Sequence, residues 1–335
     1  MEAYPIDLDD IKAKVARKIA RYSNRRYQLD QKRFEFDVLP SNVKEQINQF
    51  GEKLIRVDGE IPPDLPVNGG DRFLFISYDQ TALSHGLHKY PAKFFPELPR
   101  WLIKKYSNKG DLVLDPFTGS GTTNVEALLS YRHSVGVDID PFSRYLTKVK
   151  VTPLDPFELE ESSDLLLKKI LHFRPDFVSS NDVPDFPYRN NWFNEEIILE
   201  LAYILKSIND LNFNNDLKDF YRICFSSIIR SVSNADDNCT RTVIRKKLNK
   251  QVYPSDALVK FVERILINVP KMLKFSKLCD RRFLVELPLD CDARHLKYPD
   301  NYFDLALTSP PYANARLLSF LYIFFITSSA SGISI

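Results

Sequence analysis

Apolar residues recur along this chain in two registers: short blocks suited to buried strands, and three-to-four spacings suited to helices. Three blocks read as strands: Asp111–Asp115, introduced by Gly110, then Ser134–Ile139, then Phe303–Thr308. Helical spacing follows the first block over Asn124–Ser130. It returns over Trp192–Ile208, Asp216–Val232 and Asp256–Leu278, where Pro270 is expected to kink or divide the helix. Near the N-terminus, Ile11, Val15, Ile19 and Tyr22 share one helical face, the opposite face is basic, and Arg25 and Arg26 follow. Pro62–Gly70, rich in Pro, Gly and Asn, reads as a linker or loop.

The first block carries chemistry. Asp115-Pro-Phe-Thr-Gly119-Ser-Gly121-Thr-Thr123 joins strand to helix through a glycine-rich turn, the arrangement of a nucleotide-binding α/β unit. The glycines allow a ligand close to the backbone, and the helix start offers free N–H groups. Asp138 ends the next strand about 20 residues on, the offset at which an acid can hold a ribose hydroxyl pair. A P-loop is disfavoured because no Gly-Lys-Ser/Thr follows the turn. A dinucleotide site is weakened by Asn124, which stands where the third glycine belongs. S-adenosylmethionine fits better, because Asp115 would face a cationic amino acid rather than a pyrophosphate.

Composition narrows the class without naming a partner. At 335 residues the chain can bury one large core with an inserted lobe. With 46 basic and 44 acidic residues it is nearly neutral, so local clusters matter more than the sum. The densest cluster is Arg241–Lys250. No run approaches ~18 apolar residues and no signal pattern opens the chain, so a soluble cytoplasmic protein with no membrane partner is expected. Cys224, Cys239, Cys279 and Cys291 lack C-x-x-C spacing, and His85 and His88 lack further ligands, so no metal is expected.

Thr308-Ser-Pro-Pro-Tyr312 lies at the carboxyl end of the third strand. Two prolines hold their carbonyls stiffly, and a hydroxyl, a rigid carbonyl and an aromatic ring suit a flat nitrogenous base. Together with the glycine motif, it closely resembles the S-adenosylmethionine-dependent DNA amino-methyltransferases. The serine at its head is similar to the cytosine-N4 branch, whereas adenine-N6 enzymes usually carry Asp or Asn there. The resemblance extends to Ser84–Pro96, similar to the segment covering the methionine end of the cofactor, and to Asp290–Arg294, similar to the element reading adenine. It covers roughly half of the chain.

The resemblance implies an α/β fold, a Rossmann-like sheet with a largely helical insertion. It implies double-stranded DNA as partner and S-adenosyl-L-methionine as cofactor. Ser309 and Pro310 would accept the two amino N–H bonds of a flipped-out base, with Pro311 stiffening the turn and Tyr312 stacking. Asp115 would face the cofactor's amino group, Gly119 and Gly121 its methionine end, Asp138 the ribose and Asp292 the adenine. Pro116, Phe117, Thr122 and Lys93 are further expected contacts, although a phenylalanine beside a strand is more often core. Arg230, Arg241, Arg245, Lys246 and Lys247 are the expected DNA contacts in the insertion.

The expected organisation is a helical, basic extension and linker over 1–70 and a first half of the catalytic domain over 71–152. A helical lobe would follow over 153–281, then the remaining catalytic part over 282–315. Residues 316–335 form an apolar tail with one base and no acid. Family members continue beyond this motif with more strands, so an incomplete C-terminal sheet half is expected. A cognate restriction endonuclease or a complementing C-terminal chain would then be a partner. Adenine-N6 methylation, RNA amino-group methylation and an inert cofactor- or nucleic-acid-binding fragment remain open beside the cytosine-N4 reading.

Overall fold

A computed structural model describes residues 6–20, 42–91, 93–237, 243–244, 250–289 and 291–309. Residues 8–20 form helix α1, which buries Ile11 and Val15 but leaves Ile19 half exposed. A small sheet follows: β1 Val43–Ile47 and β2 Lys53–Asp58 come from the span assigned above to an N-terminal extension, and β3 Phe73–Ile76 from the start of the span assigned to the catalytic domain. β1 and β2 are antiparallel, and β3 lies parallel to β2. The reversal is made by Asn48, whose side-chain oxygen accepts the Phe50 and Glu52 N–H groups at 2.9 Å. Gly51 takes φ +78° at the same turn. Val57, Ile61, Leu65 and Trp101 form the local core. The strands escape a sequence reading because β1 buries no residue fully, so its alternation carries little apolar contrast. Pro62–Gly70 lies in the loop between β2 and β3, as expected.

The principal sheet is parallel, in the order β6-β5-β4-β7. Its strands are β4 Leu112–Asp115, β5 His133–Gly136, β6 Val285–Glu286 and β7 Leu305–Ala306. α2 (Glu97–Tyr106) precedes β4, α3 (Thr122–Leu129) joins β4 to β5, and α4 (Pro141–Val151) follows β5. Side chains alternate across the sheet. Val113 packs with Ile103 and Ala127 on one face, and Leu114 with Val135, Cys291 and Phe303 on the other. The chain steps from β4 outward to β6 and then returns to place β7 on the opposite side of β4. In sheets of this kind ligands bind at the carboxyl ends of the strands where the strand order reverses, which here are the ends of β4 and β7.

Between β5 and β6 run α5 (Pro156–Leu171), α6 (Arg189–Trp192), α7 (Glu195–Asn209), α8 (Asn215–Ile229) and α9 (Asp256–Leu278). Asp140 and Asp155 cap α4 and α5, each ahead of a proline at the first helical position. α9 has the expected limits, but Pro270 does not divide it. That proline is exposed, while Ile265, Asn268, Val269, Met272 and Phe275 anchor the buried face on either side. One continuous apolar cluster joins these helices to Val125 and Leu128 of α3, Phe142 and Leu146 of α4, and Ile11 and Val15 of α1. The inserted helices therefore pack directly on the sheet-covering helices. Among the described residues, no helix is long and apolar enough to cross a membrane.

Candidate active site

The glycine motif and the first two residues of the second motif, Thr308 and Ser309, lie together at the carboxyl edge of the principal sheet. β4 and β7 are hydrogen-bonded neighbours, with Val113 opposite Leu305 and Leu114 opposite Ala306. The Leu307 N–H continues the ladder to the Leu114 carbonyl at 2.8 Å, which carries Thr308 and Ser309 alongside Asp115. Asp115 is buried and accepts the Phe117 N–H at 3.2 Å. Burial pushes its carboxyl above the ordinary range, against the opposing pull of the Thr308 and Thr123 hydroxyls that face it. Among the described residues neither hydroxyl closes a hydrogen bond of ordinary geometry, so two buried polar atoms that face a buried acid are incompletely satisfied. Pro310, Pro311 and Tyr312 lie outside the described residues, as do residues 316–335.

The glycine turn is built on left-handed backbone. Gly119 has φ +51° and Gly121 has φ +73°, conformations that disfavour any side chain. A Cβ at Gly121 would sit 2.7 Å from the Thr147 side chain, so the turn is pressed onto α4. Asp138 ties the turn to β5. Its Oδ2 accepts the Gly119 N–H at 2.9 Å and the Ser143 hydroxyl at 2.8 Å, and its Oδ1 accepts the Asp140 N–H at 2.9 Å. Three donors leave room on that carboxylate for one further hydrogen bond. Thr122 is buried at the start of α3, with its hydroxyl 3.3 Å from that of Ser120. Pro116 is half-buried. The Tyr90 ring lies 3.7 Å from where a Gly119 Cβ would stand. Burial, with help from Asp138 and Asp140, pushes its phenol up to about 12, so it stays a neutral hydrogen-bonding group.

Phe117 is 43% exposed rather than core, and Ile139, next to Asp138, is 74% exposed. Two uncovered apolar side chains at the tips of adjacent strands make walls for a flat ring. Asp292 is already engaged, since the Arg294 guanidinium donates to it at 2.6, 3.0 and 3.1 Å and lowers it to about 2. Lys93 sends its ammonium to the carbonyls of Gln80 and of His85, the latter at 2.9 Å. His85 bonds Glu126 at 2.7 Å, and His88 bonds the Lys89 carbonyl at 2.8 Å and Ser226 at 3.2 Å. Among the described residues, no group of His, Cys, Asp and Glu is placed to hold a metal.

Of the expected DNA contacts, Arg230 donates to the Asp236 carbonyl at 2.6 Å, and Lys250 braces the same loop through the Arg230 and Ala235 carbonyls. Arg241, Arg245, Lys246 and Lys247 lie outside the described residues. Thr123, Thr308, Ile139 and Ser143 were not singled out from the sequence. Thr123 ends the glycine motif, Thr308 opens the second motif and Ile139 follows Asp138, so all three could have been found by asking what stands at each strand tip. Ser143 carries no such signal, because it reaches Asp138 only through the fold of α4. Taken together, the turn, the orphaned hydroxyls beside Asp115 and the uncovered Phe117 and Ile139 fit a ligand that joins a cationic amine to a flat ring.

Residues 4–148 match the family model of a DNA methylase. The chain is 29% identical over 271 residues to the type II methyltransferase M.MvaI of Kocuria varians, covering 75% of this chain and 58% of that protein. It is 28% identical over 169 residues to the type II methyltransferase M.MjaII of Methanocaldococcus jannaschii, covering 49% and 32%. With the type II methyltransferase M.BsoBI of Geobacillus stearothermophilus it shares 27% identity over 254 residues, covering 69% and 49%. The chain thus spans less than two thirds of each of these relatives. Over part of its length the chain is therefore similar to proteins named as DNA methyltransferases.

Proposed function

We propose that this chain carries the catalytic centre of a DNA methyltransferase that moves a methyl group from S-adenosylmethionine to the N4 amino group of cytosine, in a restriction–modification setting. One observation supports the reading: the parallel pairing of β4 with β7, which sets Thr308 and Ser309, the start of the second motif, beside Asp115 and the glycine turn. Asp115 and the Thr123 and Thr308 hydroxyls would receive the cofactor's amino end, Gly119 and Gly121 would admit its backbone, and Asp138 would hold the ribose. Phe117 and Ile139 would flank the adenine, and Asp292 would take its amino group in exchange for part of the Arg294 contact. When bound, the cofactor supplies an electrophilic methyl group on a sulfonium.

The difficulty of the reaction lies in the base. Its amino lone pair is delocalised into the ring, so the nitrogen is a weak nucleophile. The Ser309 hydroxyl and Pro310 carbonyl would each accept one amino N–H bond and draw the nitrogen toward tetrahedral geometry. Tyr312 would hold the ring plane, and the base must first leave the duplex. Catalysis would then come from alignment and fixed dipoles. Serine rather than an acid or amide at position 309 favours cytosine over adenine, because it resembles the cytosine-N4 branch of these enzymes.

The test is incubation of the full chain with methyl-labelled cofactor and duplex DNA, followed by nucleoside analysis. Label on N4 of cytosine is the expected result. Label on N6 of adenine would replace the substrate assignment, and cofactor binding with no label in any base would refute transfer by this chain.

A further inference from the structure

We propose that Glu126 is a positioning residue for the cofactor site, the keystone of a buried ionic joint with His85 and Arg100; this rests on the function proposed above. The three side chains come from segments far apart in sequence. His85 lies in the short 3-10 helix Leu83–Gly86, Arg100 on α2, and Glu126 on α3. The first turn of α3 carries Thr122 and Thr123 beside Asp115, and the Leu83–Gly86 turn leads to Tyr90 above Gly119. The joint therefore connects the two elements that must keep a fixed spacing if a ligand is to lie between them.

Both Glu126 oxygens are engaged, while the other ring nitrogen of His85, Nδ1, is buried without a hydrogen-bond partner among the described residues. Glu126 Oε1 receives His85 Nε2 at 2.7 Å and Arg100 Nη2 at 3.1 Å, and Oε2 receives Arg100 Nε at 2.7 Å. The side chains of His85 and Glu126 are 0% exposed. Burial opposes charge on Glu126, but His85 and Arg100 overcome it and hold the carboxyl below its ordinary range. A buried ion pair is a weak source of stability, because apolar residues of equal volume often serve as well or better. What it adds is direction, since each hydrogen bond fixes a distance and an angle that apolar contact leaves free.

The segment it holds needs fixing. Leu83 sits at φ +50°, left-handed backbone for a residue with a branched side chain, which persists only where the surroundings over-determine it. Other clamps act on the same turn: Lys93 on the His85 carbonyl, Asn268 on the Leu87 carbonyl at 3.1 Å, and Lys271 on the Thr81 carbonyl at 2.8 Å. The His85–Glu126 hydrogen bond runs from this turn into α3.

The experiment compares the full chain with Glu126→Gln, measuring S-adenosylmethionine affinity by calorimetry, steady-state KM and kcat, and DNA affinity without cofactor. The expected result is a cofactor Kd and KM raised by about 10- to 100-fold, the scale of a small misplacement, with kcat at saturating cofactor and DNA affinity retained. Unchanged cofactor affinity, with loss confined to melting temperature, would overturn the proposal and leave a simple brace. Arg100→Gln, at a side chain 24% exposed, is the second variant should Glu126→Gln not fold, with the same direction of change expected and the same null result decisive. No cofactor binding by the wild-type chain would overturn the function reading together with this one; wild-type binding matched by both variants overturns this one alone.

Discussion

Replacing Gly121 by alanine isolates two costs that the structure separates. The first is backbone: φ +73° is left-handed, and an L-residue there costs roughly 1–2 kcal/mol. The second is steric: the new Cβ would meet Thr147 Cγ2 and Oγ1 at 2.7 Å, an overpacking expected to cost about 1–3 kcal/mol. Gly121→Ala should therefore destabilise the fold by about 2–5 kcal/mol, read as a lower urea midpoint with unchanged slope. Thr147→Ala provides the control. The Thr147 hydroxyl has no hydrogen-bond partner, so its removal forfeits no bond. In the double variant the 2.7 Å contacts disappear, the Thr147 Cβ at 3.0 Å and the backbone part remain, and a coupling of up to about 1–3 kcal/mol is expected. Additive single effects would refute the claim that the turn is pressed onto α4. A Gly121→Ala protein as stable as wild type would refute the left-handed turn itself.

His88 is buried, and burial lowers its imidazole to about 4, so the folded protein refuses a proton that the unfolded chain takes up near 6.5. Stability should fall by up to about 3 kcal/mol as pH drops from about 6.5 to about 4, and His88→Asn should flatten that slope by up to one proton; parallel pH profiles would contradict this. Asp138→Asn exchanges a carboxylate that accepts three donors for an amide that cannot satisfy all of them. Cofactor affinity should drop by at least about 10-fold with DNA affinity retained, and equal cofactor affinity would remove Asp138 from the site. Neutralising Arg245, Lys246 and Lys247 together should lower the salt slope of DNA binding by up to about 2.7 if each meets a phosphate, while an unchanged slope and affinity exclude that role.

Much of the site was legible because its chemistry is compressed into contiguous motifs. Asp115, Gly119 and Gly121 sit on one strand and turn, and Asp138 stands at the next strand tip. Parallel neighbours bring such tips together without long-range information beyond strand order. The pairing of β4 with β7 was the missing step, since two apolar blocks do not state their order in a sheet. Three helices of the insertion, α7, α8 and α9, were legible from their spacing, and α9 began and ended where its apolar face predicted, whereas α5 was not read from the sequence. Packing against α3 and α4 through one core was not, because an amphipathic stripe says that a face is buried but not against what. β1 and β2 hid because their side chains are mostly half-exposed. His85, Glu126 and Arg100 hid for a different reason: a buried ion pair is a property of three segments at once, and each residue alone reads as ordinary surface charge.

The central claim is that the crevice between β4 and β7 joins cofactor to base, with Ser309 acting on the base alone. Cofactor affinity and methyl transfer measured on the same preparation of Ser309→Ala test it most directly. The expected result is a wild-type Kd for S-adenosylmethionine with transfer to DNA reduced at least ~100-fold, the scale on which a fixed hydrogen-bonding group at a reacting centre is lost. Transfer at the wild-type rate, or loss of cofactor binding and transfer together, would contradict it.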